Sequence, residues 1–393
     1  MFDERGRSRE EVLEELERLL EADSTYSSGH PVASMSTIPH SLGVDVFART
    51  LEKNAGRLHT FQGSARVEQE VLRMIADLLN LKGEPHGTTT SGGTESNILA
   101  VLAFRERAKR KTRSPEIIAP KTAHSSIDKA GWLLGVKVLR TRVDKQYRAV
   151  PAAIEKKIND NTIGVVVTAG TTYLGQIDPI SEIAEIAQDH KIPLHVDAAF
   201  GGFVIPFLNE IGRGGQRFAF EVNGVTSVST DPHKMGLAPI PAGTIIFRDP
   251  RYVKAITRTV PYLRGESSVQ VSILGTRPAA PILATWAIMK HLGREGYRTV
   301  VESCMKHTDH IMERLHQNPM LHAAIEPVMN IVGIESREVP LDTIIRRMEQ
   351  KGWRMAASPL PPTLRIVVMP HVTMGAINAF FNDLDEISMT IPP

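Results

Sequence analysis

The sequence is poorest in cysteine: Cys304 is the only one among 393 residues. A single thiol excludes an intramolecular disulfide and a cysteine-based zinc site, and it fits a reducing cytoplasm. Excess charge is lacking too, since the formal net charge is +2, so no global basic field argues for a nucleic-acid partner. No apolar run approaches the roughly 20 residues that span a bilayer. The opening Met1-Phe2-Asp3-Glu4-Arg5 has mixed charge and no apolar core, unlike a secretory signal. Internal repeats, low-complexity tracts and metal-ligand spacings are also missing. These absences lead to the expectation of a cytoplasmic enzyme or binding protein, with no membrane, nucleic-acid or metal partner.

What is present is organised in a recognisable rhythm. Ser8-Arg9-Glu10-Glu11 forms a capping box, and Val12, Leu13, Leu16, Leu19 and Leu20 follow at helical spacing. This stripe must pack on the chain's own body or on a partner. Residues 28–40 are irregular and small-polar, but they lack the charge of a disordered linker and read as a functional loop. Helical patterns are expected over 67–81, 94–111 and 127–134, with strands over 117–119 and 162–168. After a helix from Asp178-Pro179, further strands are expected over 192–196, 224–228 and 244–247. Strand–helix alternation over so long a stretch predicts an α/β fold with a mostly parallel sheet covered by helices on both faces. Residues 258–275 break the rhythm. A long helix over 279–315 follows, interrupted near Gly293 and Gly296. Strands at 330–335 and 364–368 and helices at 341–351 and 373–384 complete a small C-terminal α+β domain.

Chemistry-bearing residues stand where these strands end. Thr90-Ser91-Gly92-Gly93-Thr94-Glu95-Ser96-Asn97 places two glycines before a helix, suited to cradling a phosphate or merely to capping that helix. It is neither a P-loop nor a GxGxxG motif. His124 follows one strand and can stack on a ring, transfer a proton or serve the core, as any of the 14 histidines can. Thr168-Ala169-Gly170-Thr171-Thr172 ends the next strand. His195-Val196-Asp197-Ala198-Ala199 closes another with a carboxylate, which serves a pyridine nitrogen or a structural ion pair. Asp231-Pro232-His233-Lys234 ends with an amine able to hold a carbonyl cofactor as a Schiff base, as pyridoxal 5'-phosphate (PLP) enzymes do. Ligands sit outside the carboxyl ends of parallel strands, so four such ends in this order converge on one site. The run Arg105-Glu106-Arg107-Ala108-Lys109-Arg110-Lys111 reads as a solvated helix end rather than a nucleic-acid patch.

Taken together, Thr-Ser-Gly-Gly-Thr-Glu-Ser-Asn, His124, Thr-Ala-Gly-Thr-Thr, His-Val-Asp-Ala-Ala and Asp-Pro-His-Lys resemble the group II PLP-dependent amino-acid decarboxylases. Ile273 to Arg277 (Ile-Leu-Gly-Thr-Arg) and Leu364 to His371 (Leu-Arg-Ile-Val-Val-Met-Pro-His) extend the resemblance to the compact archaeal L-tyrosine/L-aspartate decarboxylases. The resemblance implies fold type I, the aspartate aminotransferase-like fold, and a homodimer with its active site at the interface. It implies an N-terminal helix and substrate-pocket segment (1–48), a PLP-binding large domain (49–277) and a small domain (278–393). By the same resemblance Lys234 forms the Schiff base, Asp197 pairs with the pyridine nitrogen and His124 stacks on the ring. Thr172 lies near the ring hydroxyl or Asp197, and Ala199 also binds the cofactor. Gly93, Thr94 and His233 hold the phosphate with Asp231 close by, and Thr276 reaches the partner subunit's phosphate. Arg365 binds the substrate α-carboxylate. Tyr262, with Tyr252 as the nearby alternative, returns the proton to the substrate carbon.

The implied reaction is loss of CO2 from L-tyrosine, L-aspartate or both, giving tyramine or β-alanine of the kind used in methanofuran and coenzyme A biosynthesis. His30, Ser34 and His40 are candidates for the side-chain pocket. Glutamate decarboxylation, C–C bond cleavage on the same fold and a non-catalytic PLP-binding role are the alternatives.

Overall fold

The computed structural model describes residues 4–56, 59–108, 112–261 and 269–390. Helix α1 (Arg9–Leu20) starts at the expected capping box: the Ser8 side chain accepts from Glu11 N while the Glu11 carboxylate accepts from Ser8 N. None of its residues is buried. Helices α2 (Ser41–Arg49) and α3 (Gln62–Leu78) lead into the main sheet.

That sheet contains β1 (His86–Thr90), β2 (Glu116–Pro120), β3 (Lys137–Thr141), β4 (Thr162–Thr168), β5 (Leu194–Asp197), β6 (Val225–Thr230) and β7 (Gly243–Phe247). Their spatial order is β1-β7-β6-β5-β4-β2-β3. Pairings from β6 across to β3 are parallel, and only β7 runs against its neighbours. All of β4 is buried, as its β-branched run, interrupted only by Gly164, requires of a strand covered on both sides. Successive residues feed opposite cores: Ile118, Val165 and Ile246 join one apolar cluster, while Ile117, Val166 and Ile245 join the other. The covering helices are α4 (Gly93–Ala108), α5 (Ser126–Leu134), α6 (Pro151–Glu155), α7 (Ile180–Asp189), α8 (Ile205–Glu210) and α9 (Pro250–Ile256).

The expected irregular stretch holds a short ladder of β8 (Arg258–Thr259) and β9 (Val269–Gln270). Helix α10 (Ala280–Gln317) bends at Gly293, whose φ of 55° and ψ of −169° no helix interior adopts. A break was expected there, because glycine alone reaches such angles without strain. Beyond it, β10 (Leu321–Ala323), β11 (Ile331–Ser336), β12 (Ala356–Pro359) and β13 (Pro362–Val367) form an antiparallel sheet in the order β10-β11-β13-β12, packed with α11 (Leu341–Gln350) and α12 (Met374–Thr390). The expected division after residue 277 falls just before α10, whose side chains serve both cores. Ile282 and Ile288 join the large-domain cluster, whereas Ile311 and Leu315 join the small-domain one. Val32 also packs in the small-domain cluster, so the N-terminal segment is built into the C-terminal half.

Strand β1 has no apolar side chain, so nothing in its sequence pattern announced it. It exists because its threonines find partners. Thr89 donates from N (3.1 Å) and from Oγ1 (2.6 Å) to Glu68 Oε1. Arg277 completes the arrangement, with Nη2 2.8 Å from the same oxygen and Nη1 donating to Thr89 O at 3.0 Å. Both ionic side chains are largely buried, at 13% and 7% exposure. Removing one partner leaves the other charge buried and unpaired. Glu68→Ala is therefore expected to cost roughly 3–5 kcal/mol, read by urea unfolding at neutral pH. A loss below about 1 kcal/mol, the range of exposed pairs, would show that water reaches the pair.

Candidate active site

Parallel strand direction delivers the carboxyl ends of β2, β4, β5 and β6 to one rim, and each carries a residue singled out by sequence. A cavity of about 310 Å³ opens there, lined among others by Gly93, Thr94, His124, Thr172, Asp197, Ala199, Asp231, His233 and Lys234. The structure thus brings together nine of the expected positions.

The glycines of the phosphate-cradle motif are needed sterically. Gly92 has φ +146°, and a Cβ there would stand 3.0 Å from His233 Cε1. A Cβ on Gly93 would stand 3.0 Å from Asp231 Oδ2 and 3.2 Å from Ala199 Cβ. The N-terminus of α4, with N–H groups that no helical carbonyl can satisfy, thereby meets the loop after β6. In that loop Lys234 Nζ is 3.2 Å and His233 Nε2 is 3.8 Å from Asp231 Oδ2. His233 Nδ1 hydrogen-bonds Ala242 O.

Asp197 is 5% exposed, yet both carboxylate oxygens have donors. Ala199 N reaches Oδ1 at 3.1 Å and Asn97 Nδ2 reaches Oδ2 at 2.7 Å. His124 Nδ1 accepts from Ser126 N at 3.2 Å and lies 2.9 Å from Ser126 Oγ. Burial holds this imidazole below its usual pKa, outweighing the opposing pull of the Asp197 charge. Beneath the cavity, Asp178 Oδ2 accepts from Thr168 N at 2.7 Å and Oδ1 from Ala149 N at 2.7 Å, which fixes the end of β4.

This donor set fits PLP. It offers an amine for a carbonyl, a carboxylate for a ring N–H, an imidazole wall and a helix N-terminus for a phosphate. Asp231 Oδ1 and Thr168 Oγ1 are buried without a hydrogen-bond partner, an arrangement that a polar ligand relieves.

Other expected residues fall elsewhere. Arg365, on β13, stands behind the cavity wall. Its Nη1 donates to Thr172 O at 2.7 Å and its Nη2 to Ala33 O at 2.9 Å, while its buried Nε has no partner. Thr276 is exposed in a turn outside the cavity. Glu95 Oε1 fastens that turn through Ile273 N at 3.0 Å, and Arg277 fastens it to Glu68. Tyr262 lies outside the described residues. Tyr252 packs in the core, stacked on Phe247 with centroids 6.0 Å apart, and is removed from the cavity.

The N-terminal segment needs correction: Met35, not His30, Ser34 or His40, is its residue on the cavity wall. His30 packs against Trp353 (centroids 4.5 Å apart), Ser34 Oγ bonds Tyr26 OH (3.0 Å), and His40 caps α2 through Leu42 N (3.2 Å) beside His291. Polar side chains were favoured for the pocket, but each is claimed by a partner elsewhere in the fold. Sequence reasoning also missed Asn97, Phe200 and Ile240 on the lining; Asn97, already inside a quoted motif, could have been found from its helical position. In the basic run, Arg107 lies over the Tyr252 ring at 5.6 Å and Glu106 pairs with Arg258 at 3.2 Å.

His195 lies just below the site, fully buried, and burial pushes its pKa down to about 4. The unfolded chain therefore binds the extra proton more readily, and the stability contributed by this neutral histidine is complete above pH 6.5 and lost as pH falls toward 4. The stability gap between the wild type and His195→Gln is expected to narrow over that window by up to about 3 kcal/mol. Denaturant unfolding at pH 7 and pH 5 checks this, and a pH-independent gap would contradict it.

Residues 2–336 match a family model described as the pyridoxal-dependent decarboxylase conserved domain. Over 386 residues the chain is 45% identical to a probable L-aspartate decarboxylase of Pyrococcus abyssi, covering 98% of this chain and 99% of that protein. A probable L-tyrosine/L-aspartate decarboxylase of Methanothermobacter thermautotrophicus is 42% identical over 93% of this chain and 99% of its own length. Among solved structures, a sphingosine-1-phosphate lyase of Burkholderia pseudomallei superposes with a TM-score of 0.91 at 27% identity, covering 99% of this chain and 92% of that one. A Lactobacillus brevis glutamate decarboxylase (TM-score 0.89, 24% identity, coverage 99% and 94%) shares the fold. The expected fold type I architecture and cofactor agree with these likenesses, and the chain belongs to the pyridoxal-dependent decarboxylase family, enzymes that use PLP.

Proposed function

We propose that this enzyme releases the α-carboxylate of L-aspartate, L-tyrosine or both as CO2. The observation that carries the reading is the single cavity in which Lys234, Asp197 and His124 face the glycine-rich start of α4. The substrate class rests on the names of relatives at 45% and 42% identity.

When bound, PLP supplies an electron sink for the pair left on the substrate carbon by departing CO2. Lys234 Nζ is the point of covalent attachment, held near Asp231. Asp197, held by Asn97 Nδ2 and Ala199 N, pairs with the ring nitrogen and keeps it protonated. Gly93, Thr94 and His233 bind the phosphate, with Thr276 contributed by the other subunit of a homodimer. His124 covers the ring face. Arg365, behind the wall beside Thr172, has no carboxylate partner among the described residues, and its unpartnered Nε is the group left to orient the α-carboxylate. Loss of CO2 rather than a proton is decided by that orientation. Tyr262 returns the proton. Cys304, free and buried, suits the cytoplasm as the working compartment.

The dimer reading has its own support: α1 buries nothing, and its Val12, Leu16, Leu19 and Leu20 stand exposed. Such a stripe is expected to be covered by a second copy. Sedimentation is expected to give a dimer at micromolar concentration; a fully active monomer would refute this.

For the reaction, purified enzyme supplied with PLP is tested with aspartate, tyrosine and glutamate while CO2 is measured. Release is expected from aspartate or tyrosine, with Lys234→Ala inactive and free of covalently trapped cofactor after borohydride reduction. Arg365→Met is expected to lower kcat/KM by roughly 10- to 100-fold, the range for losing a hydrogen bond to a charged group. Cofactor trapped at Lys234 without CO2 from any amino acid would favour the C–C lyase alternative, the Burkholderia protein being named a sphingosine-1-phosphate lyase.

A further inference from the structure

A polar seam runs under the cavity floor through a sheet that is otherwise apolar. His195 and Asp197 are two apart on β5, so their side chains share a face. Ser227 and Ser229 are two apart on β6, in register with them. Asn97, in the second turn of α4, sits against this face. Exposure is 0% for His195, Ser227 and Ser229, 1% for Asn97, 2% for Ser126 and 5% for Asp197. Buried polar groups at this depth need partners, and the donors can be assigned by starting from the one group that can only accept.

The assignment starts at Asp197, whose ionised carboxylate can only accept. The group 2.7 Å from its Oδ2 must therefore be the Asn97 amide nitrogen. That nitrogen's other hydrogen goes to Ser126 Oγ at 2.8 Å. The Asn97 carbonyl oxygen, acceptor only, then faces His195 Nε2 at 2.9 Å, so His195 carries its proton on Nε2. In the neutral ring Nδ1 then accepts, and Ser227 Oγ stands 2.8 Å away to donate to it. Ser229 Oγ gives the Asn97 oxygen a second, longer donor at 3.3 Å. On the far side, Ser126 Oγ has received a hydrogen and passes its own to His124 Nδ1 at 2.9 Å. Ser126 N–H also meets that nitrogen, which leaves neutral His124 with its proton on Nε2.

We propose that Asn97 is a positioning residue whose amide, oriented by His195, clamps the Asp197 carboxylate and links it through Ser126 to His124. This rests on the assignment of Asp197 and His124 to the cofactor's ring. His195 does not line the cavity and acts only through Asn97. Without the Nε2–H donor the Asn97 oxygen keeps only the longer contact from Ser229, and the amide's hold on the carboxylate loosens. The clamp therefore depends on a neutral His195 in one tautomer, and a glutamine at 195 can replace it by offering an N–H from a similar place.

The test has an arm that needs no cofactor. Long-range proton–nitrogen NMR of 15N-histidine-labelled apo enzyme, assigned with His195→Gln and His124→Gln, reads protonation directly. Both rings are expected neutral with the proton on Nε2 at pH 7. His195 found cationic, or protonated on Nδ1, would overturn the proposal. In the second arm, PLP affinity and the pH titration of the bound chromophore are compared in His195→Met, His195→Gln and Asn97→Leu. His195→Met and Asn97→Leu are expected to weaken PLP binding roughly 10- to 100-fold and to shift the titration, while His195→Gln stays near the wild type. A His195 that merely fills space would lower the melting temperature of the Met variant without moving either quantity, and that result would also overturn the proposal. Failure of the wild type to attach PLP at Lys234 would instead count against the assignment of the site, leaving the apo-state arm to judge the seam.

Discussion

Strand direction is the constraint on which the rest of this structure depends. A parallel strand can place the residue at its carboxyl end on only one rim of its sheet. With β2, β4, β5 and β6 all aligned, His124, Thr172, Asp197 and Lys234 converge although they are spread over more than a hundred positions of chain. The antiparallel β7 and the glycine-rich entry to α4 close the same rim from the other side. Chemistry at this site is thus a by-product of how the core is buried: the apolar runs that force strands to be covered on both faces also fix where the polar ends emerge.

Much of this was legible in the sequence because the signals were redundant. Each strand that feeds the site ends in a polar motif, and the β-branched run of β4 admits little but a buried strand. Legibility failed where tertiary partners overrode local pattern. Strand β1 is His-Gly-Thr-Thr-Thr and forms because Glu68 and β7 satisfy it. His30, Ser34 and His40 looked like pocket residues because they are polar and stand in a loop. Trp353, Tyr26 and the start of α2 claim them, which leaves the unremarked Met35 on the wall. Asn97 was quoted within a motif but given no task, because its partners His195 and Asp197 lie 98 and 100 residues away.

The two sheets are joined less by a linker than by shared parts. Helix α10 contributes to both cores across its bend, and Tyr297 on it donates to Gly236 O at 3.0 Å, just beyond Lys234. Asn330, at the entry to β11, reaches Met235 Sδ at 3.5 Å and Val368 O at 3.0 Å. The loop that carries the lysine is therefore held from the small-domain side as well as by its own strand.

Arg365 bonds Thr172 in the large domain and Ala33 near the chain's beginning, 332 residues away. His371 similarly bonds Pro31 O at 3.1 Å and Thr37 at 2.8 Å. During synthesis the strand ends that form the cavity rim leave the ribosome long before β13 does. His40 N can bond Leu237 O earlier, but the contacts of Pro31, Ala33 and Thr37 wait until Arg365 and His371 have emerged. Contacts of such sequence separation close late. The first forty residues can therefore complete their fastening only when synthesis has passed His371.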